Sequence, residues 1–232
     1  MISNANYREG SFAWRLHRAL VKRPRGHAAW VAVMKWRELT IRLLQPELWR
    51  RAHLRSALLL TLPRNGAVAE IGVWRGMFSA MLRDVCEPQK LLLVDPWSDM
   101  ADDTPWHNEP MTAEEKHQLF EDAFQHVQHT FAADPRIEIV RAPSIEAARN
   151  VPDSSLDAVY IDGAHTYADV NADLHAWSPK LRPGGLLTGD DYYWSDDGGK
   201  TFPVRRAVDD FVRKQRPRRW AVFRGQFVIA LR

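Results

Sequence analysis

Residues 67–79, Ala-Val-Ala-Glu-Ile-Gly-Val-Trp-Arg-Gly-Met-Phe-Ser, constrain this chain more than any other stretch. The apolar run reads as a buried strand, Gly72 and Gly76 as a tight loop, and Met77 onward as the start of a helix. Glycine admits close backbone approach, and a helix N-terminus presents unpaired N–H groups. Strand, glycine loop and helix in that order belong to an α/β sheet that binds a ligand at its strand ends. Glu70 closes the strand, and 25 residues later Asp95 closes a second apolar run, residues 91–94. A carboxylate at the end of that second strand is placed to accept hydrogen bonds from a ribose diol. Together these features describe a pocket for an adenosine-containing cofactor.

Spacing decides among such cofactors. Dinucleotide sites carry G-x-G-x-x-G, whose middle glycine makes room for pyrophosphate. Here the pattern is E-x-G-x-x-x-G, and Trp74 fills the crowded stretch. Glu70 would repel a pyrophosphate and suits an ammonium and a sulfonium instead. On these residues the chain resembles the class I S-adenosylmethionine-dependent methyltransferases, whose first motif is this loop and whose second is the acid matched by Asp95. The resemblance implies that Glu70, Gly72, Gly76 and Ser79 line the methionine end of S-adenosylmethionine.

Composition sets the outer limits. At 232 residues and 45% hydrophobic content, one soluble globular domain with an extension is expected. No run approaches the roughly 18 apolar residues of a membrane span, and the N-terminus lacks a secretory pattern. The single cysteine, Cys86, rules out an internal disulfide and a cysteine-rich metal site. A cytoplasmic location is the expectation. Residues 1–60 hold 12 Lys+Arg against 3 acids, and residues 200–232 hold 10 against 2. No nucleic-acid module accompanies these basic ends, so they read as solvated helix faces.

Residues 1–60 read as an N-terminal basic helical extension and residues 61–232 as the cofactor-binding domain. Helical patterning over 27–60 places the extension to pack over the main domain or between subunits of a homo-oligomer. Beyond it, strands 67–71, 91–94, 137–140, 156–161 and 185–189 alternate with helices 77–86, 112–131, 144–149, 167–179 and 202–212. Such alternation predicts a mostly parallel sheet covered on both faces. Pro183-Gly184-Gly185 reads as a turn into the fifth strand, and residues 220–231 as a hairpin turning at Arg224-Gly225. The resulting fold class is α/β: a Rossmann-like class I methyltransferase sheet with a C-terminal antiparallel hairpin. Residues 96–110, polar but carrying Trp97 and Trp106, read either as a lid over the site or as a plain surface insertion. Trp97, Trp106 and Trp194 flank strand ends, where a substrate ring could stack.

Two strand ends carry the chemistry, Tyr160-Ile-Asp162-Gly-Ala-His165 and Gly189-Asp190-Asp191-Tyr192. In a doubly wound sheet they lie side by side, so Asp162, Asp190 and Asp191 are expected to converge. Crowded carboxylates repel one another. A divalent cation would relieve that, and all-oxygen ligands favour Mg²⁺. In this the chain is similar to the metal-dependent O-methyltransferases, including catechol and macrocin O-methyltransferases. That resemblance implies Asp162, Asp190 and Asp191 as metal ligands and Ser144 near the adenine. The catechol enzymes place a lysine base where this chain has His165. His165 or Asp162 is the expected proton acceptor, because imidazole titrates near neutrality; Asp162 also counts among the residues facing the cofactor. The expected activity is methyl transfer from S-adenosylmethionine to a hydroxyl of a small molecule such as a sugar, phenol or natural product. Two alternatives stay open: a metal-independent methyltransferase acting on nucleic acid or protein, and a non-catalytic cofactor-binding subunit.

Overall fold

The computed structural model describes residues 55–98 and 111–231, together with Ala32, Lys35, Trp36, Glu38, Leu39, Arg42 and Leu43. These seven are helical, in keeping with the patterning over 27–60. The other residues of the first 54, and residues 99–110 with Trp106, lie outside the described residues. Among the described residues no helix is long and apolar enough to cross a membrane.

Seven strands of the described residues form one sheet: β1 (Ala67–Ile71), β2 (Lys90–Asp95), β3 (Ile137–Arg141), β4 (Leu156–Ile161), β5 (Leu181–Gly189), β6 (Arg219–Phe223) and β7 (Gln226–Ala230). Their order is β3-β2-β1-β4-β5-β7-β6. The first five strands are parallel, and β7 runs antiparallel between β5 and β6. This is the mostly parallel sheet with a C-terminal antiparallel hairpin that the alternation predicts. Arg224 and Gly225 make the hairpin turn, both at positive φ (57° and 84°), as a two-residue turn between twisted strands requires.

The helices that cover the sheet are α1 (Ser56–Leu59), α2 (Met77–Cys86), α3 (Ala113–Phe131), α4 (Ser144–Arg149), α5 (Tyr167–Trp177) and α6 (Pro203–Gln215). Side chains alternate across each strand, which sorts the core into two layers. On one face Val68, Leu93 and Tyr160 meet Leu58, Leu82 and Val127 of α1, α2 and α3. On the other, Ile71, Val94 and Ile161 meet Ala147, Leu174 and Phe211 of α4, α5 and α6. The four residues of α1 are too few for a self-supporting helix. Leu58 and Leu59 are fully buried and hold α1 in place, each contributing about 2 kcal/mol. The core therefore reaches back across residue 60 and fixes Arg55 one turn before Leu58. Cys86 is a core thiol whose pKa burial pushes up to about 12.

Two local expectations need correction. Thr112 does not open α3 but caps it, its hydroxyl accepting the Glu115 N–H while the Glu115 carboxylate accepts the Thr112 N–H. Pro183-Gly184-Gly185 is not a turn before β5 but an irregularity within it. The register slips from Leu156↔Leu181 to Ala158↔Leu186, accommodating a proline without an N–H and Gly184 at φ 81°.

Strand order reverses beside β1: β2 and β3 lie to one side, β4 and β5 to the other. Register aligns Ile71 with both Val94 and Ile161, and Ile161 with Gly189. The next residues, Asp95 at the last position of β2 and Gly72, Asp162 and Asp190 just past their strands, therefore stand abreast at the carboxyl edge of the sheet. Sheets of this kind bind ligands at that switch point.

Gly189 shows how tightly this edge is built. A Cβ there would lie 2.4 Å from the Ile161 carbonyl oxygen and 2.4 Å from the Phe227 ring. Gly189→Ala is predicted to lower stability by about 3 kcal/mol, read as a reduced urea midpoint at unchanged slope. An unshifted midpoint would contradict this packing.

Candidate active site

The loop after β1 presses against the end of β4. Gly72 sits at φ 86°, and a Cβ there would lie 2.1 Å from the Asp162 carbonyl oxygen. The Asp162 N–H donates to the Ile71 carbonyl at 2.7 Å, completing the contact. Gly76, at φ 70°, opens α2 without a side-chain cap, so the helix start presents N–H groups to a ligand.

Where a dinucleotide loop would have its middle glycine, Trp74 itself adopts the left-handed conformation, at φ 53°. Asp95 holds it there. Asp95 Oδ2 accepts the N–H groups of Val73 and Trp74 at 2.8 and 2.9 Å, and Oδ1 accepts the Trp97 N–H at 2.7 Å. Trp97 Nε1 closes the circuit by donating to the Trp74 carbonyl at 2.8 Å. A carboxylate has about four acceptor positions; two serve the loop after β1 and a third the segment after β2. Burial pushes the Asp95 carboxyl above the ordinary range even though three N–H groups oppose it. Trp97 is not a stacking platform for substrate: it is 1% exposed and packs on Phe124.

Glu70 is buried beside Tyr160, its register partner on β4. Burial pushes its pKa to about 8; Ser79 opposes the shift and Asp162 adds to it. Glu70 Oε2 and Ser79 Oγ are both buried without a formed hydrogen bond among the described residues. Ser79, like Glu70, is fully buried. An orphaned acid oxygen next to a glycine loop fits a cofactor bearing an ammonium and a sulfonium, because a cation would supply the missing partner. Ser144, at the first position of α4, joins two helices. Its hydroxyl donates to Asp173 Oδ1 and accepts Trp177 Nε1–H at 2.8 Å, tying α4 to α5. Burial pushes Asp173 to about 6.

Asp162, Asp190 and Asp191 are brought together, with an arginine between the first two. Arg55 Nη2 lies 3.0 Å from Asp162 Oδ2, and Arg55 Nε donates to Asp190 Oδ2 at 2.6 Å. The Tyr160 hydroxyl lies 3.3 Å from both oxygens. Sequence reasoning missed Arg55, which stands 135 residues before Asp190 in a basic stretch with no motif around it. Burial pushes Asp162 to about 7; Arg55 works against this, and Asp190 and Asp191 work with it.

Past Asp190 the chain turns sharply. Asp191 sits at φ 58°, its N–H donating to Asp190 Oδ1 at 2.9 Å. That turn aims Asp191 at His165, with Nε2 2.9 Å from Oδ2, and the imidazole stacks on Trp194 at 4.8 Å between centroids. Burial would raise the Asp191 carboxyl, but the hydrogen bond and charge of His165 outweigh it and hold it below the ordinary range. Asp162, His165 and Asp191 place one ligand atom each within 4.8 Å of one another, a set able to hold a metal ion. Asp190, held by Arg55, is not among them, so the grouping differs from the all-carboxylate trio. One imidazole among the donors also admits Mn²⁺ and its neighbours beside Mg²⁺. A small recess lies beside this set, lined also by Val170, Val204 and Phe227.

The folded-state proton affinity of Glu70 exceeds its unfolded value. Its contribution to stability is fully present below the unfolded pKa of about 4.3 and is lost as pH rises through about 8. Glu70→Gln is therefore predicted to gain on the order of 2 kcal/mol over the wild type at about pH 9, to gain less at about pH 5, and to bind adenosylhomocysteine more weakly. Melting curves at the two pH values check the sign; equal shifts at both would contradict a neutral buried Glu70.

A family model described as a methyltransferase domain matches residues 69–192. Among solved structures, the O-methyltransferase NovP superposes with a TM-score of 0.52 at 18% identity, covering 80% of this chain and 78% of that one. A Staphylococcus aureus protein, provisionally assigned as a caffeoyl-CoA O-methyltransferase, gives 0.50 at 14% identity over 98% of this chain and 95% of its own. At such identities both likenesses show the fold alone. Among curated proteins, the uncharacterized protein y4gI of Sinorhizobium fredii is 41% identical over 49 residues, which is 21% of this chain and 5% of that protein's length.

Proposed function

The chain belongs to the methyltransferase-domain family, as a class I S-adenosylmethionine-dependent enzyme, and we propose that it carries the methyl group to a hydroxyl oxygen of a small molecule. One observation carries this reading. The Glu70–Gly72 loop and the Asp162–His165–Asp191 set meet backbone to backbone, which would put a methyl donor and a proton acceptor side by side. The shared fold with NovP, itself an O-methyltransferase, is consistent with it.

Glu70 would hold the ammonium of the cofactor, and Asp95 its ribose. When bound, the cofactor supplies a methyl group on a sulfonium whose thioether leaves without needing a proton. The acceptor would lie beside His165, where Trp194 and the exposed Tyr193 offer apolar surface to a phenol or sugar ring. Asp162, His165 and Asp191 would hold a divalent ion, whose part is to lower the proton affinity of the acceptor hydroxyl. A second, metal-independent reading is favoured by Arg55, which already neutralises Asp162 and Asp190. In it the His165 imidazole takes the hydroxyl proton, and Asp191 across Nε2 stabilises the imidazolium.

Transfer of labelled methyl to a panel of phenols and sugars tests the proposal. Chelation is predicted to lower the rate at least about tenfold, with Mg²⁺ or Mn²⁺ restoring it. An unchanged rate would reject the ion and leave the His165–Asp191 pair as the base. His165→Ala is predicted to lower kcat about 100-fold at nearly constant adenosylhomocysteine affinity. Label appearing only on nitrogen acceptors would overturn the hydroxyl reading.

A further inference from the structure

Arg55 supplies the positive charge that the clustered carboxylates call for. Its guanidinium spans Asp162 and Asp190 through Nη2 and Nε. A planar fork bridging two carboxylates is a geometry that arginine offers and lysine, a point charge, does not. Leu58 and Leu59 are buried in the core one turn further on, and the Phe78 ring lies beneath the guanidinium at 5.4 Å. The two acids are mostly buried, at 15% and 12% exposure, so removing the guanidinium would leave like charges facing each other in a poorly solvated place.

Asp162 belongs to two circles at once. One oxygen, Oδ2, faces Arg55 and the Tyr160 hydroxyl, while the carboxylate also reaches the His165–Asp191 side. Asp190 belongs to the arginine circle and, through Oδ1, to the turn that positions Asp191.

We infer that Arg55 is a built-in counter-cation of this edge: it keeps Asp190 out of the ion-binding set, confines a divalent ion to Asp162, His165 and Asp191, and limits how tightly that ion is held. The inference rests on the proposed reading of the edge as an ion-assisted methyl-transfer site. It makes Arg55 a positioning residue, acting on the ion through two carboxylates and not on the acceptor.

Mn²⁺ binding to the full chain, titrated by the spin resonance of the free ion, tests this without any turnover. In the wild type, Asp190→Asn is expected to change the Mn²⁺ affinity less than about threefold. Arg55→Ala is expected to tighten binding at least about tenfold, and the gain should vanish when Asp190→Asn is added. Arg55→Lys keeps a charge but not the fork and should fall between; it also serves if the alanine variant folds poorly. Melting curves should show Arg55→Ala less stable than the wild type without Mn²⁺ and restored by it, a rescue that lost packing alone would not give. Arg55→Ala and Arg55→Lys both binding Mn²⁺ no more tightly than the wild type would overturn the inference, as would loss of wild-type binding on Asp190→Asn. Failure of the parent reading shows elsewhere, in adenosylhomocysteine binding and methyl transfer to hydroxyls. An Arg55 effect on Mn²⁺ in a chain that methylates no hydroxyl would keep the counter-cation and reject the reaction.

Discussion

The contact of Gly72 with the Asp162 carbonyl sets the geometry of everything chemical in this chain. With no side chain at Gly72, the ends of β1 and β4 come close enough for the Asp162 N–H to bond Ile71. The β1–α2 loop and the acidic edge are thereby one surface. Had the loop stood off by the width of a methyl group, Glu70 and Asp162 would sit in separate, better-hydrated places. Held close and dry, Asp162 raises the proton affinity of Glu70, on top of the larger effect of burial on each.

Charge compensation along this edge is nearly complete, and where it stops is informative. Asp95 is met by three backbone N–H groups, Asp162 and Asp190 by Arg55, and Asp191 by His165. Glu70 retains an oxygen with no partner among the described residues. Leaving a buried acceptor unsatisfied costs about 1–3 kcal/mol, so the position that most wants a cation is the one facing the glycine loop. A cofactor whose methionine end is positively charged answers that demand. A pyrophosphate would aggravate it.

Most of the architecture was legible because it rests on local pattern. The apolar runs at 67–71 and 156–161 are strands buried on both faces, and their bounds follow from where the runs end. Arg-Gly between two alternating segments marks the hairpin. What stayed hidden depends on contacts remote in the chain. Pro183-Gly184-Gly185 carries turn chemistry, yet the slip in register with β4 absorbs it inside a strand. Trp97 sits in a polar stretch at a strand end and reads as a surface for a substrate ring, but it is buried, its indole N–H donating to the Trp74 carbonyl. Ser144 lies at the expected helix start, and its hydroxyl bonds to Asp173 and Trp177. His165 stood out by position; its pairing with Asp191 needed the left-handed turn at residue 191, which no aspartate announces. Arg55 left no trace among neighbouring arginines.

A crystal structure with adenosylhomocysteine tests the central claim most directly, that a cation-seeking acid and a proton-accepting edge stand side by side. The account predicts the ligand's amino group against Glu70, its ribose at Asp95, and its sulfur pointing across Gly72 toward Asp162 and His165. A ligand whose amino group lies away from Glu70, or whose sulfur faces away from His165, would contradict it.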